Sequence, residues 1–178
     1  MTPADVIAFW EMAGESRWFT KDAAFDGSLK VRFAKALEEA RAGNFDHWGE
    51  TPEGALGLVI LMDQVSRNIH RGSPLAFAAD ARALRMAKQW IGRGFHQQIP
   101  PPRARWLIMP FEHAEDLDAQ RRGVALFEVM GLSDMAFWAQ VHLDIIARFG
   151  RFPHRNSILG RVSTPEELDF LAAGGFAG

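Results

Sequence analysis

The sequence predicts an all-α fold, and three observations carry that expectation. Proline-led capping signals recur along the chain, at Thr2-Pro3-Ala4-Asp5, Thr51-Pro52-Glu53 and Thr164-Pro165-Glu166-Glu167. The apolar residues that follow such signals recur at helical spacing. No run alternates with period two over more than a few residues, so strands have no support. Paired helices joined by short connections predict an antiparallel array of helical hairpins. No linker divides residues 1–178, which read as one domain, and no sequence repeat is visible.

Taken in order, Val6, Phe9, Trp10 and Ala13 form the inner stripe of a first helix that stops at Gly14. Residues 15–27 read as an ordered loop, because Trp18, Phe19 and Phe25 are costly to leave in water. A second helix is predicted from about Ser28 to Ala42, with Leu29, Phe33, Ala36, Leu37 and Ala40 on one side. The third opens at Thr51 and is apolar all round through Met62, which marks it as central. Asp80 is placed to cap a helix over Ala81 to Ile91. From Arg103 another carries Trp106, Leu107 and Phe111, and Pro110 predicts a kink or break in it. Asp116 caps a helix reaching Met130, and Ser133 or Asp134 opens a long one. Thr164 begins a last short helix through a capping box.

Bulk properties narrow the function. A chain of 178 residues with 48% hydrophobic and 24% charged residues suits a globular protein with a real core. A net charge of −2 argues against a general nucleic-acid binder. The absence of cysteine removes disulfides, thiolate nucleophiles and cysteine-ligated zinc. The opening MTPAD lacks the basic and apolar regions of a signal peptide, so a cytoplasmic location is expected. Ala55 to Met62, the longest apolar run, falls far short of the ~20 residues of a membrane helix. No metal or cofactor motif appears: HExxH, Glu-x-x-His, GxSxG, GxGxxG and the phosphate-binding P-loop are all missing. Trp48 and Trp106 are either core residues or stacking platforms, which burial decides.

Chemistry concentrates in three blocks. In the first, MDQVSRNIHRG, Asp63 and Arg67 share a helix face directly after the apolar run, followed by Asn68 and Arg71. A carboxylate there is part-buried and needs a cation. In the second, MPFEHAEDLDAQ, Glu112, Glu115 and Asp116 crowd one face beside His113, so one of them tends to hold a proton near neutrality. The third, HLDIIARFGRFPHRNSILGR, gathers His142, Arg148, Arg151, His154, Arg155 and Asn156 around a break at Gly150. Guanidinium forks suit carboxylate or phosphate. Arg148 also lies four residues after Asp144, the spacing of a solvated ion pair. A buried strut of ion pairs explains the same residues as well as a ligand site does.

The same three blocks, in this order and with RFGRFPHRN the most specific piece, resemble domain-of-unknown-function family 924. The N-terminal Phe-Trp, FDGSLKVRF and the final STPEELDFL also fit its pattern. Val65-Ser66 stands where that family usually shows Phe-Pro, which alters the end of the third helix. The resemblance implies a tetratricopeptide-like, all-helical bacterial protein without an established activity.

If the three blocks meet, they form a positively lined pocket for a small anionic ligand. Asp63, Arg67, Asn68, Arg71, Arg148, Arg151, His154, Arg155 and Asn156 would then be its ligand-binding residues. His113 or His142 would supply acid–base catalysis, oriented by Glu112, Asp116 or Asp63. A module that clamps an acidic peptide or a C-terminal carboxylate is the alternative, and a purely structural salt-bridge core is the third reading.

Overall fold

The computed structural model describes residues 1–176, and among them every regular element is helical. Helix α1 (Pro3–Ala13) opens on a capping box: Thr2 Oγ1 accepts from the Asp5 N–H, and the Asp5 carboxylate accepts from the Thr2 N–H at 2.8 Å. Its Trp10 is fully buried and meets Trp106 edge to face at 5.5 Å.

Residues 15–27 are not the loop that their aromatic content suggests. A single turn, α2 (Glu15–Trp18), is followed by α3 (Ala23–Arg41), which starts five residues earlier than the apolar stripe indicates. Asp22 is the reason. Its carboxylate accepts from the N–H groups of Ala24 and Phe25 at 2.9 and 3.1 Å.

The third predicted helix is central, as its composition requires, but it is not uniform. It runs as α4 (Pro52–Val59), widens into a π-helical turn over Ile60–Val65, and resumes as α5 (Ser66–Ile69). The wider turn turns Asp63 and Gln64 inward; both are buried.

Four helices then follow: α6 (Asp80–Gly92), α7 (Pro101–Glu112), α8 (Leu117–Val129) and α9 (Ser133–Phe149). Successive members pack together, and the short α7–α8 and α8–α9 joints make those neighbours antiparallel. Pro110 does not break α7, which continues to Glu112. It stands in the last turn, where little helix remains to lose, and the His113 N–H closes that turn on the Met109 carbonyl at 3.0 Å. Asp116 caps α8 by accepting from the Ala119 N–H at 2.8 Å. Gly150, at φ +71°, ends α9 in a conformation that other residues resist. A one-turn helix at Pro153–Arg155 and α10 (Pro165–Ala172), with its capping box at Thr164 and Glu167, complete the described chain.

Helix α1 lies against α4, and α3 lies along the π turn. Trp48 and Trp106 are buried in the main core, which settles them as packing residues. A second, smaller apolar group of Ile145, Ile146 and Phe152 sits beneath Phe149, Phe170 and Phe176. No helix among the described residues is long and apolar enough to cross a membrane.

Candidate functional site

The π turn, the end of α7, the middle of α9 and the turn after Phe152 converge on one buried polar cluster. Asp63 is its hub. His113 Nδ1 stands 2.9 Å from both Asp63 carboxylate oxygens, Gln64 Nε2 donates at 2.7 Å, and an Arg67 amino group donates at 3.4 Å. Burial pushes the Asp63 carboxyl upward, but the facing His113 and Arg67 outweigh it and hold the group below its usual range. Burial, and then the Arg67 charge, lower His113, which keeps it neutral near pH 7. Its Nδ1–H donates to Asp63. Nε2 is thereby left as an acceptor on a side chain that retains 13% of its surface.

Glu112 behaves in the opposite sense. Burial, reinforced by the Asp63 charge, raises it to about 8, so it carries a proton at neutral pH. One of its oxygens lies 3.2 Å from His142 Nδ1, which also donates to the Trp138 carbonyl at 2.8 Å. Burial pushes His142 down to about 4. The edge histidine expected on α9 is therefore an interior one, with Nδ1 already committed.

The cations enter from two directions. An Arg67 amino group holds Asp80 at 2.9 Å, and an Arg155 amino nitrogen lies 3.6 Å from the same Asp80 oxygen. Arg155 is buried, with its guanidinium 4.3 Å from the Phe152 ring centroid and 4.7 Å from that of Phe77. Burial, then Arg67, draws it down to about 10. His154 is pushed down to about 3 by burial and by Arg155. Arg67 thus faces Asp63 and Asp80, and Arg155 faces Asp80, while Glu112 and the three histidines are neutral near pH 7.

Pairing within the cluster is incomplete. Arg67 Nε, Arg155 Nε, Glu112 Oε2, Asp80 Oδ1 and His154 Nδ1 are sealed from solvent and have no hydrogen-bond partner among the described residues. Each such group costs about 1–3 kcal/mol when left unsatisfied. Five of them around one centre call for a bound molecule or ordered water.

Several residues expected at this site are elsewhere. Arg148 pairs with Glu166 at 2.8 Å, not with Asp144, which accepts from Gln140 at 2.7 Å. Arg151 grips buried Glu167 through two bonds of 2.6 and 2.8 Å and also donates to the Val162 carbonyl. Asn156 Nδ2 donates to Ser163 and Glu167 at 3.0 and 3.1 Å. Arg71 and Asn68 both turn to Asp26 on α3, at 2.7 and 2.8 Å. Asp116 is spent on the α8 cap. Glu115 is held by Arg161 and by the Phe152 N–H, so the expected face of three carboxylates does not form, because α7 ends at Glu112.

Surface hollows also lie apart from the cluster. One of about 370 Å³ is lined by Arg148, Arg151, Glu166 and Glu167, and one of about 700 Å³ by residues including Arg82, Arg85, Trp90 and Arg93. Sequence reasoning missed Asp80 as a cluster residue and Phe77 as its aromatic wall. Both lie in SPLAFAAD, where the acid before a helix looks like a cap; it is the first helical residue instead, and its side chain makes no cap bond.

The family profile described as bacterial protein of unknown function (DUF924) matches residues 6–175. The chain belongs to that family. A solved structure, of a protein of unknown function from Agrobacterium tumefaciens, is 42% identical, with 97% of each chain covered and a TM-score of 0.93. Comparison with functionally curated proteins finds no match. In this DUF924 chain Val65-Ser66 closes the π turn without ending the helix. Ser66 is buried, accepts from Arg41 at 2.9 Å and faces the Leu75 and Ala76 carbonyls at 3.3 Å.

Proposed function

We propose that the protein binds a small anion between Arg67 and Arg155 and moves protons on it. The observation that carries this reading is the pair of guanidinium Nε donors, both buried and both unpartnered, on either side of Asp80. A guanidinium left with a free donor beside neutral histidines is suited to a carboxylate or phosphate oxygen.

Two carboxyls driven apart in pKa supply the proton chemistry. Asp63 stays ionised and orients His113, whose Nε2 acts as the base. Glu112 keeps its proton and acts as the acid, through an oxygen that has no other partner. Hydrolysis or group transfer on the bound anion is the chemistry this arrangement serves. His142 is a positioning residue that holds Glu112.

The clamp for an acidic peptide has less support, because Glu166 and Glu167 already occupy Arg148 and Arg151. The succession of packed helices from α6 to α9 supports a tetratricopeptide-like scaffold, with 1–178 as one domain. A chain without cysteine suits a cytoplasmic location.

Thermal unfolding in inorganic phosphate against chloride at matched ionic strength tests the reading. Phosphate at about one hundred times its Kd stabilises a binding protein by about 2.7 kcal/mol. Arg155→Met is expected to abolish that gain. Equal gains in wild type and variant would refute a site at Arg155.

A further inference from the structure

The tail that follows α10 doubles back over the cluster. Its turn is closed by the Gly174 N–H on the Leu171 carbonyl at 3.2 Å and the Gly175 N–H on the Phe170 carbonyl at 3.0 Å. Gly174 sits at φ +82°, and a Cβ on Gly175 would fall 2.6 Å from the Phe170 ring and its carbonyl oxygen. Only a glycine pair can make this reversal. Its result is the placement of Phe176, whose ring centroid lies 4.5 Å from that of His142 and 5.3 Å from that of His154, in both cases edge to face.

The space that the phenyl group fills has a mixed lining. Phe152 stands behind both histidines, at 5.4 Å from His142 and 5.6 Å from His154, and the Arg155 guanidinium covers Phe152 from another side. An aromatic wall next to a guanidinium with an unused donor is a seat for an amphipathic anion. Phe176 supplies the ring but no anion, and Arg155 Nε stays unpartnered.

We propose that Phe176 is a removable occupant of this site, holding the place of an apolar group carried by the ligand. The inference rests on the anion-site reading above and names its ligand class: a small carboxylate or phosphate bearing an aromatic or compact apolar group. The ligand displaces the phenyl ring, sets its own ring against His142, His154 and Phe152, and gives its anion to Arg155.

The test is histidine labelling with diethylpyrocarbonate, read residue by residue by mass spectrometry. In the wild type, His142 and His154 label slowly while exposed His47 labels freely. Phe176→Ala is expected to speed labelling of both His142 and His154 about tenfold and leave His47 unchanged. Phe176→Trp, which refills the space, stays near the wild-type rate and controls for misfolding. Phenylacetate then restores protection in Phe176→Ala, and acetate does not. Slow labelling in Phe176→Ala would overturn the cover, and equal protection by the two anions would overturn the ligand class. Neither result bears on phosphate binding at Arg155, so the two readings fail separately.

Discussion

His113 Nδ1 lies 2.9 Å from both carboxylate oxygens of Asp63, fifty residues earlier in the chain. That contact joins the π turn of the central helix to the end of α7. It places a neutral imidazole against a carboxylate that burial would otherwise neutralise. Asp63 therefore serves both the fold and the proposed chemistry, and the following outcomes separate the two.

Asp63→Ala is expected to destabilise the protein by about 3–5 kcal/mol, because it strips the partner from His113 and one partner from Arg67 inside the core. Urea unfolding followed by circular dichroism measures this as a lower midpoint at an unchanged slope.

Glu112 predicts an unusual pH dependence. Its folded pKa is raised to about 8, whereas the unfolded carboxyl titrates near 4.5. The folded state thus binds the extra proton, and stability falls as pH rises between those values. Below about 6.5 the buried histidines oppose the trend, since they lose stability as they are forced to charge. Between pH 6.5 and 8 the Glu112 proton accounts for a loss of about 2 kcal/mol, offset in part because the histidines held down in the folded state still take up protons when unfolded. Glu112→Gln should lack that loss and gain stability over the window, as urea titrations at each pH will show.

Asp80 bridges two guanidinium groups, so Asp80→Asn leaves Arg155 without its carboxylate and Arg67 with Asp63 alone. A loss of about 3 kcal/mol is expected. Combined with Arg155→Met, the loss should be smaller than the sum of the single effects, because the unpaired Arg155 charge is gone. Additive losses in the double-mutant cycle would show that the two residues do not interact.

Asp116→Ala is expected to cost about 1 kcal/mol through the lost α8 cap and to leave phosphate-dependent stabilisation intact. Thermal scans with and without phosphate measure both quantities together. This separates a structural acid from the functional ones next to it in sequence.

Much of the fold was legible because capping chemistry is local. Thr2, Thr51, Asp116 and Thr164 each accept from the backbone N–H three residues on, and such bonds depend on little beyond the adjacent sequence. The π turn was not legible. It depends on how Ile60–Val65 pack against α3, and periodicity carries no sign of it. The cluster was partly legible. Asp63, Arg67, Glu112, His113, His142, His154 and Arg155 stood out as polar groups attached to apolar helices. Composition alone could not tell Arg148 and Arg151, which meet Glu166 and Glu167, from Arg67 and Arg155, which meet Asp80 and keep an unpartnered Nε. That distinction belongs to the α10 capping box, which brings Glu166 and Glu167 to the former and not to the latter.

Crystals grown in selenate provide the most direct measurement, because anomalous scattering locates the anion without prior phases. The account predicts a peak within hydrogen-bond distance of Arg155 and Arg67, with Phe176 either retained or displaced. Selenate found solely at the surface hollow of Arg148 and Arg151, with the Arg67 and Arg155 donors bonded to water or protein, would contradict it.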